Sequence, residues 1–241
     1  MAELLLELYS EEIPPQLQIQ ARNQIKEFFE KSFEEESIKY KEILIYTSPT
    51  RLTLLAKDIT EEIKIGSKEI KGPKVGSPDQ ILQGFMKAKN ISQNDLIEKE
   101  TEKGKFYFIK TEPKKIFVKE LLILMLPKAL ASISWKKSMK WSDHNLMWGR
   151  PLRSIFSLFN GKKIAFQFDH LESSDEIIIE QDLTLKNKKV KNFKEYYNHL
   201  KINNIVLDHN EREKIILKKF STISKSKNYK ENYNLKLLEE V

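Results

Sequence analysis

Glu3-Leu4-Leu5-Leu6-Glu7-Leu8-Tyr9-Ser10-Glu11-Glu12-Ile13-Pro14-Pro15 changes character once, and that change decides the fold class. Residues 3–9 are short and apolar and read as a buried strand. From Ser10 the chain turns polar and reaches two prolines. Proline is tolerated in the first turn of a helix, and carboxylates suit the positive end of its dipole. A helix is therefore expected next. Leu17, Ala21, Ile25, Phe28, Phe29 and Phe33 recur at spacings of three and four, giving one apolar stripe over about six turns. Glu34-Glu35-Glu36 ends that helix on its solvated side.

Outward from this pair, Ile43-Leu44-Ile45-Tyr46 and Leu52-Thr53-Leu54-Leu55-Ala56 read as two strands. The proline-bearing stretch Thr47-Ser48-Pro49-Thr50-Arg51 joins them. Residues 59–77 are polar, hold Gly66, Gly72 and Gly76, and are expected to form a long connection. Ser77 as cap and Pro78 at the first position start a helix through Ile81, Leu82, Phe85 and Met86. Ser92 caps another short helix, and Lys103-Gly104 predicts a hairpin. Ile116 to Ile133 is a strongly apolar core helix, interrupted by Pro127 and too short to span a membrane. Asn160-Gly161, between Ser154–Phe159 and Ile164–Phe168, is the strongest short hairpin signal in the chain. Residues 173–191 are polar. Phe193–Leu200 reads as a helix, Ile205-Val206-Leu207 as extended, and Asp208 to Lys227 as a basic helix capped by Asp208. This irregular alternation, with hairpins, favours α+β with mixed or antiparallel sheets and packed helices over a doubly wound parallel sheet. The organisation expected is one domain over residues 1–170, divisible near 60–77, followed by a basic, mainly helical segment over 171–241.

The chain has 241 residues, 40% apolar and 32% charged, with no cysteine. That length can bury a sizeable core, and that balance fits a soluble globular protein. Lack of cysteine excludes a disulfide scaffold, thiolate metal sites and a cysteine nucleophile, and fits a reducing compartment. No run approaches the roughly 18 apolar residues of a membrane helix. Glu3 and Glu7, with no basic stretch before them, are not expected of a secretory signal. The charge is uneven. Residues 1–185 hold 28 basic and 28 acidic side chains, and residues 186–241 hold 14 and 7, so the entire excess of +7 sits at the end. A local basic field attracts polyanions. General lysine enrichment accounts for it equally, in which case the basic tail is compositional and the domain purely structural.

Reaction chemistry is not visible. Gly66, Gly72 and Gly76 form no phosphate loop. His144, His170, His199 and His209 are scattered without metal-binding spacing, and no serine sits in a nucleophile elbow. Neither catalytic, cofactor-binding nor metal-binding residues are expected. The densest constellation is Trp135-Lys136-Lys137-Ser138-Met139-Lys140-Trp141-Ser142-Asp143, continuing to Trp148-Gly149-Arg150-Pro151-Leu152-Arg153. All three tryptophans lie within 14 residues, interleaved with five cations. Indoles offer stacking faces to bases, and Lys and Arg neutralise phosphates. Equally, the indoles can pack in the core with lysines lying over them. Arg51, opening a strand after a stiff turn, suits either a phosphate or carboxylate ligand or an internal salt bridge.

Several of these segments, in this order, resemble one family. They are Leu6-Glu7-Leu8-Tyr9-Ser10-Glu11-Glu12-Ile13-Pro14-Pro15, Ser48-Pro49-Thr50-Arg51-Leu52, Lys71-Gly72-Pro73, Gly84-Phe85, Lys137 to Asp143 and Trp148 to Arg153. Together they look like the N-terminal part of the β subunit of bacterial heterotetrameric glycyl-tRNA synthetase. The similarity runs to the terminal Leu237-Leu238-Glu239-Glu240-Val241. The resemblance implies an α2β2 cytoplasmic enzyme that joins glycine to its tRNA using ATP. It implies catalysis, glycine and ATP on the α subunit, and tRNA recognition on the β subunit, with no membrane partner. It also implies a B3/B4-like N-terminal region. Arg51, Lys137, Lys140, Trp141, Trp148, Arg150 and Arg153 are then the expected contacts to tRNA or to the α subunit. Family members continue for several hundred residues into HD-like and anticodon-binding domains, so a truncated or split chain is expected. The alternative is a non-catalytic RNA-binding or assembly module left by truncation. Where the family usually shows Gly-His-Arg, this chain reads Ile178-Ile179-Glu180-Gln181-Asp182, so no contact carries over to that segment.

Overall fold

The structure, a computed structural model, describes all residues except Met1, Lys68, Glu112, Asp182, Leu183, Tyr233, 235–237 and 239–241, and the backbone alone of Ile65 and Gln181. The end of the chain that carries part of the resemblance, Leu237 and 239–241, lies outside the described residues. Two compact units are present: residues 1–61 together with 117–241, and residues 62–116.

The opening segment forms β1 (Ala2–Ser10) and α1 (Pro15–Glu35), with a proline in the first turn as expected. The α1 stripe buries Leu17, Ala21, Ile25, Phe29 and Phe33, the last three completely. Full burial of each such side chain contributes about 1.5–3 kcal/mol. β2 (Glu42–Ser48) and β3 (Arg51–Ile59) follow as a hairpin.

In the smaller unit the expected long connection is instead β4 (Glu62–Ile65) and β5 (Glu69–Lys74). Glu62-Ile63-Lys64-Ile65 and Glu69-Ile70-Lys71 alternate with period two, a half-buried strand pattern that their charge conceals. α2 (Asp79–Lys89) begins one position later than expected: Pro78, not Ser77, holds the capping position, without a side-chain cap. Ser92 does cap a 3-10 turn, through a reciprocal bond with Asp95. β6 (Leu96–Thr101) and β7 (Gly104–Lys110) make the expected hairpin, and β5 pairs with β7. β8 (Lys114–Phe117) pairs with β4. A Cβ on Gly72 would lie 2.8 Å from the ring of Phe85, so glycine there lets α2 dock on β5.

Back in the larger unit, α3 (Val118–Ala131) is the apolar core helix, with Pro127 inside it. β9 (Leu152–Phe159) and β10 (Lys162–Lys163) flank Asn160 and Gly161, whose positive φ values (+50° and +72°) give the left-handed pair that a two-residue hairpin demands. β11 (Gln167–Phe168), β12 (Leu171–Ser174), β13 (Glu176–Gln181) and β14 (Thr184–Lys189) come next. The last two form a hairpin within the stretch that reads as polar, because Ile177-Ile178-Ile179 is short and surrounded by charge. α4 (Phe193–Ile202) is capped by Asn192, and α5 (His209–Lys227) by Asp208. Among the described residues no helix is long and apolar enough to cross a membrane.

Among the described residues seven strands build the main sheet, in the order β11-β12-β9-β1-β3-β2, with β10 beside β9. All pair antiparallel except β12 on β9. β1 is central and buried on both faces. Leu5 joins Phe156, Leu158, Ile177, Ile179, Val190, Tyr196, Leu200 and Leu207 in one cluster. Leu4, Leu6 and Leu8 turn to the opposite face by the two-residue period and are equally buried. α1 packs on β2 and β3 and against α3. The chain is α+β.

A tyrosine joins α4 to α5. Tyr197 donates to Glu211 at 2.5 Å. That bond, then burial and the carboxylate charge, push its phenol up to about 12. The fold thus prefers the neutral phenol. The contribution is complete below the ordinary tyrosine value of 10 and is lost as pH rises through about 12. With solvent screening it amounts to no more than about 1 kcal/mol. Wild type is expected to exceed Tyr197→Phe in urea midpoint at neutral pH. That gap should close between pH 10 and 12, and a gap that stays constant would place the stabilisation elsewhere.

Candidate nucleic-acid interface

Within the Ser48–Leu52 turn, Ser48, Arg51 and Leu52 are buried while Pro49 is exposed. In the ladder Arg51 sits opposite Tyr9, and Glu7 opposite Thr53. Arg51 is only 2% exposed. Its Nη1 donates to Glu7 Oε2 at 2.8 Å, its Nη2 donates to the Ile178 carbonyl at 2.5 Å, and its guanidinium lies 4.7 Å from the Tyr9 ring centre. Tyr196 donates to the same Glu7 oxygen at 2.5 Å and shares a 2.8 Å bond with the Thr53 hydroxyl. Burial alone would lower the Arg51 pKa, but the Glu7 carboxylate holds it above the ordinary arginine value. Burial, then the Glu7 charge, push the Tyr196 phenol well up. Of the two uses open to Arg51, the structure therefore displays the internal salt bridge. This side chain has no surface to offer RNA. Glu7, an acid in the middle of an apolar strand, was the visible signal that a buried cation would be needed.

The tryptophan-rich stretch divides. Met139 and Trp148 form an isolated antiparallel bridge that closes the loop 139–148. Trp148 is 2% exposed, with its ring centre 5.0 Å from Trp135 and 5.8 Å from Phe168. A Cβ on Gly149 would lie 2.5 Å from the Trp135 ring, so only glycine admits this packing. Trp148, expected as a stacking surface, is a core residue instead. Trp141 is half-buried, edge-on to His170 at 5.9 Å. Lys136, Lys137 and Lys140 are exposed.

Arg150 and Arg153 lie at the end of β1 in a cleft of about 500 Å³ with Tyr9, Thr50, Glu11, Glu12 and Glu180. Arg153 is exposed and ion-paired with Glu11, while Arg150 donates to the Gly149 carbonyl. Two guanidiniums among three carboxylates make a cleft of mixed sign, not a cradle for a polyanion. The uncompensated positive charge of this region rests on Lys136, Lys137 and Lys140. A second group of exposed cations, Lys214, Lys218, Lys219, Lys225 and Lys227, lies along α5, with Lys214, Lys218 and Lys225 on one face. At its foot a cleft of about 690 Å³ is lined by Arg22, His209, Arg212, Glu12 and Glu213. Burial lowers the pKa of Arg22, His209 and Arg212 there. Sequence reading missed this cleft because its cations come from α1 and α5, nearly 190 residues apart.

Comparison with known proteins agrees with the segments that carry the resemblance. The family model for the glycyl-tRNA synthetase beta subunit matches residues 4–241. The chain is 35% identical over 241 residues to the glycine–tRNA ligase beta subunit of Rickettsia akari (strain Hartford), covering 100% of this chain and 36% of that protein. It is 37% identical over 245 residues to the namesake from Rickettsia canadensis (strain McKiel), with the same coverage. The one from Rickettsia prowazekii (strain Madrid E) is 36% identical over 243 residues, again covering 100% and 36%. The chain spans about a third of the length of these relatives. Since the match extends over nearly every residue of the fold just described, the chain belongs to the glycyl-tRNA synthetase beta subunit family.

Proposed function

We propose that this chain acts as the N-terminal portion of the β subunit of a heterotetrameric glycine–tRNA ligase. With an α subunit, in the cytoplasm, it serves the ATP-dependent attachment of glycine to tRNA(Gly). The match to the β-subunit family over residues 4–241 carries this reading. Glycine, ATP and the bond-making chemistry belong to α. This chain binds no cofactor of its own; it holds the tRNA and meets α. Its lack of a glycine-rich phosphate loop and of a nucleophile constellation accords with that division of labour.

The tRNA-holding face is the exposed segment with Lys137, Lys140 and the half-buried Trp141, with a smaller contribution from Arg150 and Arg153, whose charge Glu11, Glu12 and Glu180 offset. Lysines neutralise phosphates and release counterions, while an indole face gives a base a surface to stack on. Such contacts orient the substrate for chemistry performed elsewhere. In titrations of tRNA(Gly) at several salt concentrations, Lys137→Ala/Lys140→Ala is expected to weaken binding. It should also flatten the slope of log affinity against log salt by about 1 for each phosphate that is no longer neutralised. Arg150→Ala should flatten it less, because Arg150 is already engaged by a carbonyl. An unchanged slope in a folded double variant removes the loop from the site.

A second reading, a non-catalytic RNA-binding or assembly module, rests on the exposed lysines alone, which attract a polyanion without any ligase partner. Glycine charging by the chain copurified with α separates the two. Charging supports the ligase subunit, and tRNA binding without charging supports the module.

A further inference from the structure

The geometry points to a binding site for one nucleotide, held by its phosphate, in the cleft between α1 and α5 that Arg22, His209 and Arg212 line. The cleft shares no lining residue with Lys137, Lys140 and Trp141, and it stands whether or not those residues hold tRNA.

α1 brings Arg22 to one wall, and the first turn of α5 brings His209 and Arg212 to the other. Asp208 fixes that end of α5, where its Oδ1 accepts the Asn210 N–H at 2.9 Å. Arg212 Nη1 donates to the carbonyls of Thr47, Val206 and Leu207 at 2.8, 2.9 and 3.2 Å, which ties the start of α5 to β2 and to the segment before it. Neutral carbonyls orient a cation rather than cancel its charge. Arg22 is half-buried, and among the described residues neither a hydrogen bond nor an ion pair reaches it. The Asp208 charge supports its guanidinium, but burial outweighs that support and lowers its pKa. His209 Nδ1 is occluded from solvent and takes no hydrogen bond among the described residues, and Asp208 Oδ1 is 3.9 Å from it. The Arg22 charge repels both His209 and Arg212.

A half-buried guanidinium with no bonded partner and an occluded imidazole nitrogen are costly, and repulsion between their neighbours adds to the cost. Internal packing does not remove that cost here. Asp208 is engaged in capping α5, and Glu12 and Glu213, though they line the cleft, are exposed and screened by water. The cleft at Arg150 and Arg153 differs, because Arg153 there is ion-paired with Glu11. An anion from outside would satisfy Arg22 and His209 together. A phosphate has enough acceptor oxygens to meet a guanidinium, an imidazole N–H and the positive end of α5 at once. The cleft, of about 690 Å³, is far larger than a phosphate and lies within the range of small-ligand pockets, about 300–1,000 Å³. Ile13, Pro14, Pro15, Ile19 and Pro49 add an apolar wall to the cations, suited to the ribose and base that a phosphate carries. A nucleotide within an RNA chain and a free nucleotide present this same chemistry.

The test titrates the full chain with adenosine 5′-monophosphate (AMP) and follows the histidine ring resonances by nuclear magnetic resonance. The His209 signals are those missing from His209→Gln. Saturable binding is expected, at least tenfold tighter than that of adenosine or of inorganic phosphate. The His209 pKa should rise when AMP is bound, because the phosphate charge favours the imidazolium and offsets the repulsion from Arg22. Arg22→Gln removes the charge from a side chain that bonds to no described residue, so the fold should persist, as circular dichroism can check. It should weaken AMP binding at least tenfold, while Lys31→Gln, which removes an exposed cation of the same helix, leaves it unchanged. Titrations of tRNA(Gly) at several salt concentrations then decide the source. Weaker binding by Arg22→Gln, with a salt slope flatter by about 1, assigns the cleft to an RNA nucleotide, and unchanged tRNA binding assigns it to a free one. The site is overturned if AMP does not saturate, if inorganic phosphate binds as tightly as AMP, or if folded Arg22→Gln binds AMP like wild type. The AMP titration involves neither α nor tRNA, so its failure leaves the proposed function standing.

Discussion

Replacing Arg51 by alanine is expected to remove about 3–5 kcal/mol of folding stability, because it leaves the Glu7 carboxylate buried without its cation. That is a large share of a typical domain's margin of about 5–15 kcal/mol. Glu7 is fully buried between Leu6 and Leu8, with Arg51 and Tyr196 both bonded to one of its oxygens. Glu7→Gln keeps the shape but removes the charge, so it strands the guanidinium and should cost a similar amount. The double replacement Glu7→Leu/Arg51→Met removes both charges and should recover most of the loss, since apolar pairs of similar volume often substitute for a buried ion pair without penalty. Urea unfolding of wild type and the three variants compares these costs. If Arg51→Ala unfolds like wild type but binds tRNA more weakly, the inward ion pair is not what this arginine is for.

Trp148→Ala should have an effect of the same order, about 3–5 kcal/mol, through the cavity it opens. The indole is buried against Trp135 and Phe168, and its backbone closes the loop that presents the lysines. Loss of stability should therefore be accompanied by weaker tRNA binding, because the loop loosens and not because the indole itself touches RNA. Trp141→Ala offers the contrast. Being half-buried, Trp141 should cost only about 1 kcal/mol of stability. If it stacks on a base, its loss weakens tRNA binding by about 1–3 kcal/mol. Denaturation and tRNA titration of both variants separate the roles. A stable, well-folded Trp148→Ala that binds poorly would return this indole to the surface.

Much of the architecture was legible in the chain because local physics dominates there. The α1 stripe, the proline entry at Pro15, the Asn160-Gly161 turn and the Asp208 cap each depend on residues within one or two turns of one another. Strands were missed where apolar content was thin and charge plentiful. β4 and β5 alternate over only a few residues, and the β13 isoleucines are surrounded by acids and lysines. Their pairing across the sheet, not their composition, makes them strands.

The functional residues divide in the same way. Lys137 and Lys140 could be read as exposed cations from the sequence, because no neighbouring acid or long apolar run draws them in. Arg51 and Trp148 could not be sorted from the surface, since the groups that bury them lie outside their own strand or turn: Glu7, Ile178 and Tyr196 for one, Trp135 and Phe168 for the other. The same holds for Arg22 and His209, which no spacing rule joins.

Local propensity and hydrophobic period therefore settled the class of fold and most of its helices, while the family rests on the ordered segments that resemble it and on the match over residues 4–241. Which cations are buried, which indole is core and which cations share a cleft depended on strand register and on the docking of loops and helices. Those contacts act across 13 to 189 residues of sequence, and local patterns of charge and hydrophobicity carry no record of them.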